Sequence, residues 1–335
     1  LNMNKNYILL GLVLLASCAP NEVPSKDLVE RDGIKYEVNS QTPFTGVSVE
    51  YYLDTIIKNE FEDRVLLQRT TFKKGIKNGL YESFHLNGQL ESKGNYIDGK
   101  EDGLWESYFE NGQLENRTNS KVGERVGLWE YYHENGQLLS KGNYKDGKED
   151  GLWEYYSDNG QLERKQNWKD GYKHGLWEWY YENGQLEYKQ TYKDGKEDGL
   201  WESYFENGQL EERSILKDGE LNGLYESYHD NGQIFLKGNY KDGKEEGLFE
   251  SYWENGQLES KMNHKDGELD GLLERYYWNG QLKSKSNYKD GELDGLEEKY
   301  YDNGQLESRN NYKDGKEDGL YESYYENGQL GIKRN

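Results

Sequence analysis

Reactive side chains are scarce in this sequence of 335 residues. It carries one Cys, Cys18, and five His, so neither an internal disulfide nor a dedicated metal site of several His is available. The His are scattered: His85, His133 and His229 fill a slot occupied elsewhere by Phe109, Tyr181 or Trp253, and His264 fills the slot of Tyr240. They read as substitutes for surface aromatics. Carboxylates are plentiful, with 64 Asp and Glu, and a pair of them could hydrolyse a glycoside. A catalytic pair needs an environment of its own, however, and each Glu here has near-copies along the chain. Acidic turns such as Asp98 to Asp102 offer weak Ca²⁺ ligands at best, because Lys interrupts almost every one. No enzyme and no cofactor is expected. What remains is aromatic: Trp105, Trp129, Trp153, Trp177 and Trp201 recur every 24 residues, and exposed rings beside charges suit a protein partner or a sugar.

The elements that would position these rings follow from a repeat. Asn-Gly-Gln begins at Asn87 and returns at intervals of 24 up to Asn327 with no insertion. Each unit holds two short strand patterns, such as Leu104 to Phe109 and Gln113 to Arg117, with Asn-Gly between them. The expected fold is all-β, an elongated single-layer antiparallel meander of β-hairpin repeats. A two-residue turn at Asn-Gly sets Glu106 across from Arg117, Glu154 across from Lys165, and Glu202 across from Arg213. That register puts Trp105, Phe109 and Leu114 on one face, with Leu104, Glu106 and Tyr108 on the other. A three-residue turn with a Gly bulge would shift the pairing by one and group Leu114 with Leu104 and Tyr108.

Composition agrees with a thin fold. Hydrophobic residues make up 33%, against roughly 45–50% in ordinary soluble domains, which is too little for a thick core. The 31 Tyr and 9 Trp nevertheless argue against disorder. A net charge of −22 makes nucleic acid an unfavourable partner.

The first residues read as an address. Lys5 precedes an apolar run from Tyr7 to Ala16, too short to span a membrane. Leu15-Ala16-Ser17-Cys18 resembles the lipobox of bacterial lipoprotein precursors. The resemblance implies cleavage after residue 17, a diacylglyceryl group on Cys18, and a membrane-anchored protein of the cell envelope, with display at the outer membrane or cell surface as one outcome. Residues 18–35 then read as a polar tether and 36–76 as a degenerate capping repeat. Residues 77–335 form the regular array.

Gly142-Asn143-Tyr144-Lys145-Asp146-Gly147, followed by Gly151-Leu152-Trp153, resembles the bacterial variant of the MORN repeat. Tyr96 with Gly99 and Gly103, and Tyr192 with Gly195 and Gly199, fit the same pattern over residues 77–333. The resemblance implies a non-enzymatic scaffold that binds protein partners. Two alternatives stand beside it: a glycan or cell-wall binder using the Trp ladder, and an antitoxin-like neutraliser of a toxin, a label some members of the family carry.

Overall fold

The computed structural model describes residues 22–52 and 65–335. The expected signal peptide and Cys18 lie outside the described residues. The chain divides into two compact units, Leu1–Glu124 and Arg125–Asn335, each built of antiparallel hairpins. Among the described residues the one helical element is a short 3-10 turn, Ser25–Asp27.

In the first unit the strands are β1 (Glu22–Pro24), β2 (Leu28–Arg31), β3 (Ile34–Glu37), β4 (Gly46–Tyr52), β5 (Val65–Lys73), β6 (Ile76–Phe84), β7 (Leu90–Ile97), β8 (Lys100–Glu101), β9 (Gly103–Tyr108) and β10 (Leu114–Lys121). From β4 onward they form a meander. The expected tether is corrected here, because residues 22–35 belong to the fold. β1 runs parallel to β4, with Glu22 opposite Val47, and β2 and β3 form a small hairpin of their own. Val23 and Leu28 pack with Phe44 and Phe72, and Val47 and Val49 are also buried. The stretch that reads as polar thus contributes the apolar contacts that close one edge of the sheet. β4 pairs antiparallel with β5, Gly46 opposite Phe72 and Val49 opposite Arg69.

The second unit repeats one pattern from Gly127–Tyr132 to Leu330–Arg334, each strand paired antiparallel with the next. Strands meet their neighbours in the meander. Burial must therefore come from side chains lying beside one another on a face.

The two kinds of turn differ in geometry. Asp-Gly makes the tight hairpin: Asp146 and Gly147 both have positive φ, 49° and 76°, and Lys145 lies opposite Lys148. That is the two-residue turn whose twist matches the strands. Asn-Gly instead sits in a three-residue loop. In Phe109 to Gln113, Gly112 N–H donates to the Phe109 carbonyl at 2.8 Å, and Phe109 N–H donates to Gln113 at 2.9 Å. Only Gly112 has positive φ, 82°. Asn111 instead uses its Oδ1 to accept from Gln113 N–H at 2.9 Å.

A second bulge between Leu114 and Asn116 cancels the resulting slip. Glu106 still faces Arg117 as the two-residue turn implied, but Leu114 now faces Tyr108. The face assigned to Leu114 is therefore corrected, and each expected register is right on one side of the bulge.

Side chains also tie successive repeats together. Asn183 Nδ2 donates to the Glu206 carbonyl at 3.1 Å, and Asn231 Nδ2 to that of Glu254 at 2.9 Å. At the opposite end of the strands, Gly195 N–H donates to the Lys173 carbonyl and Gly219 N–H to that of Glu197. The His residues join this network. His133 and His229 bond the carbonyls of Tyr156 and Tyr252, as the Tyr181 hydroxyl bonds that of Tyr204. They do the work of the aromatics they replace.

Candidate binding surfaces

One face carries the aromatic row, and the row is packed. Trp177 is 3% exposed and Trp153 4%, Trp129 is also buried, and Trp105 and Trp201 are partly covered. The expected ladder of displayed rings at Trp105, Trp129, Trp153, Trp177 and Trp201 is corrected accordingly. Three causes combine. The indole of Trp153 lies on Gly142, and that of Trp105 on Gly94, where any Cβ would overlap the ring. Tyrosines of the Gly-Asn-Tyr segment fill the gaps: Tyr144 lies 5.3 Å from Trp153, and Tyr192 lies 5.1 Å from Trp177. Cations from the turns cap the pairs, with Lys173 at 4.5 Å from Trp177 and Arg125 at 4.8 Å from Trp129.

The opposite face carries the charged row. Glu106 accepts from Arg117 Nε at 3.0 Å, from Lys93 at 2.8 Å and from the Tyr108 hydroxyl at 3.0 Å. Glu202 is held in the same way by Arg213 at 2.7 Å, Lys189 at 2.5 Å and Tyr204 at 2.7 Å. Glu154 is opposite Lys165 in register, yet its ion pair is with Lys141 of the preceding hairpin, at 2.9 Å. Each Glu is therefore a bridge between hairpins as much as a pair within one. The Lys93 hydrogen bond, with help from Tyr108 and Arg117, holds the Glu106 carboxyl below its usual range. For Glu202 burial pushes upward, but the bonds from Lys189, Tyr204 and Arg213 together win, and its pKa is lowered too. This row is neutralised.

Beside it runs a row the sequence reading passed over. The Leu of most Gly-Leu steps points to the charged face and is left partly in solvent, from 45% exposed at Leu104 to 36% at Leu296, with Leu152, Leu176, Leu224, Leu248 and Leu272 between, while Leu200 and Leu320 are half-buried. In register each faces a mostly polar partner, as Leu152 faces Asn167 and Leu248 faces Asn263. The signal was available, since alternation from Glu106 places Leu104 on the same face. An apolar residue that recurs every 24 positions, and that the fold does not bury, is the surface's main unsatisfied feature. Among the described residues no group of His, Cys, Asp and Glu is arranged to hold a metal ion, and no helix is long and apolar enough to cross a membrane.

Among solved structures, the crystal structure of TcdB2-TccC3 matches at 12% identity over 89% of this chain and 19% of that one, with a TM-score of 0.19. The crystal structure of TcdB2-TccC3-TEV matches at 14% identity over 90% and 17%, with the same TM-score. This chain thus spans about a fifth of the length of those chains. No functionally curated protein matches it. The family model described as "MORN repeat variant" matches eleven segments: residues 77–98, 101–121, 125–146, 149–170, 173–194, 197–218, 221–242, 245–266, 269–290, 293–314 and 317–333. Repeats of this kind are generally non-catalytic scaffolds that bind proteins or membranes. With eleven matched segments following the same hairpins that the structure builds, the chain belongs to the MORN repeat variant family.

Proposed function

We propose that this protein is a non-enzymatic scaffold that docks protein partners on its leucine-bearing face, anchored at a bacterial envelope by lipid on Cys18. The exposed Leu row carries this reading. The aromatic rings are spent on packing and the Glu row on ion pairs with Lys and Arg, so the leucines are the periodic apolar groups still open to a partner. Fully burying an exposed Leu side chain is worth roughly 1.5–3 kcal/mol, and these leucines are already more than half covered, so each adds under about half of that and several consecutive rows must act together.

The test is capture of envelope proteins by the wild type and by a Leu224→Ser/Leu248→Ser/Leu272→Ser variant. The substitution keeps the backbone and both neighbouring rows, so its melting should be nearly unchanged while partner recovery falls about tenfold or more. Equal recovery by both proteins would defeat the proposal. Anchoring has its own test: palmitate labelling of cells should vanish in Cys18→Ala, and label persisting in that variant would remove the lipid from the account.

A further inference from the structure

The array contains its own control, because a unit that departs from the others can be compared with them. On the aromatic face, the row next to the tryptophans is mostly small and polar. Ser83 and Ser92 share a hydrogen bond of 2.7 Å, as do Ser251 and Ser260. In consecutive hairpins of the second unit that row turns bulky: Tyr155 faces Arg164, Arg164 faces Trp179, and Trp179 faces Tyr188. The Arg164 guanidinium lies 4.0 Å from the Tyr155 ring centre, and Trp179 stacks on Tyr188 at 4.3 Å with an interplanar angle of 13°. Fold does not require this, since the Ser pairs build the same hairpin elsewhere.

The departure opens on a cleft of about 720 Å³, within the range of small-molecule sites. Arg164, Trp179, Glu163 and Glu187 line it, together with the strand ends and loops at 156–159 and 180–182. Its walls carry three kinds of group at once. Aromatic surface comes from Trp179 and from Tyr181 of the loop that follows it. Donors come from Asn159 and from the Arg164 guanidinium. Acceptors come from the carboxylates.

A purely apolar ligand would strand those donors and acceptors. A cationic peptide would meet the carboxylates but also Arg164. An anionic ligand would meet several carboxylates and a single guanidinium. A neutral polyol ring uses all of them: its C–H face lies on an aromatic ring, and its hydroxyls both give and accept hydrogen bonds. We propose that this cleft binds a short neutral oligosaccharide, independently of the leucine face. The sugar-binding function thus belongs to Arg164 and Trp179, not to the buried Trp ladder.

The test uses the full chain with maltotriose, cellotriose and triacetylchitotriose as probes, followed by saturation-transfer NMR and titration calorimetry. At least one probe should bind. The variant Arg164→Ser/Trp179→Ser installs the residues that other units carry at these places, so folding has a precedent within the same molecule. It should melt like the wild type and lose about tenfold or more in affinity. Trp253→Tyr, which alters a ring in a different hairpin loop, should bind as the wild type does. The proposal is overturned if none of the three probes binds, if the double variant binds equally well, or if tetralysine occupies the cleft in preference to sugar.

Discussion

Gly142 and Trp153 show how single residues let a sheet bury rings with only its own neighbours to cover them. The glycine supplies a notch, and the indole lies in it. Gly142→Ala should therefore cost about 1–3 kcal/mol through overpacking, read as a lower midpoint in chemical denaturation. Gly33→Ala is a useful contrast, since no neighbour would meet its Cβ and the cost there comes from its positive φ alone. The depth of the tryptophans was not legible in the sequence. Alternation tells which side of a strand Trp153 takes, but its burial depends on a glycine in the adjacent strand and a tyrosine two residues beyond it. The ion pairs were easier to read, because Glu106 with Arg117 and Glu202 with Arg213 need only register and charge.

At the scale of turns and strands, Asn207 illustrates a second cause of missed detail. Asn-Gly reads as a two-residue turn, yet the loop engages the Asn side chain in three hydrogen bonds: Oδ1 accepts from Gln209 N–H at 2.9 Å, and Nδ2 donates to Gln209 Oε1 at 3.4 Å and to the Asp230 carbonyl of the next repeat at 3.3 Å. Bonds to a neighbouring repeat leave no trace in a local pattern. Asn207→Ala should lose about 1–2 kcal/mol and speed amide exchange in the loops of both its own hairpin and the next. Exchange confined to its own loop would contradict the inter-repeat link. Segment 22–35 was misread for a related reason: Val23 and Leu28 look isolated among polar residues until β1 is set against β4 and Leu28 against Phe44 and Phe72. The period, the hairpins and the two faces were legible, since eleven copies average out local noise.

For the molecule as a whole, titration of the tyrosines sets the alkaline limit. Burial first, then nearby carboxylates, pushes the pKa of Tyr180, Tyr192 and Tyr225 up to about 12. An unfolded tyrosine ionises near 10. The raised folded value means the contribution to stability is complete below about pH 10 and is lost as pH rises toward 12. Lys93 and Lys141, raised by hydrogen bonds to Glu106 and Glu154, act in the same direction. Glu106 and Glu250, held low by Lys93 and Lys237, act at the other end: their contribution is present above about pH 4 and fades as acid protonates them. Melting temperature measured across pH should hold a plateau and fall on both sides, and the alkaline fall should track phenolate absorbance. A flat profile from pH 9 to 12 would mean that the tyrosines are not held as described.

The aromatic row has an optical consequence. Within the second unit, phenol and indole rings follow one another at 5.3 Å from Tyr144 to Trp153, and at 5.0 and 5.1 Å from Trp168 through Trp177 to Tyr192. At such separations a photon absorbed by a phenol passes to an indole before it can be re-emitted, and adjacent indoles share their excited states. The folded protein should fluoresce as a tryptophan emitter even when its tyrosines are excited, and coupled bands should mark its near-ultraviolet dichroism. Both signals depend on ring-to-ring distance, so their loss would report the opening of individual hairpins along the array.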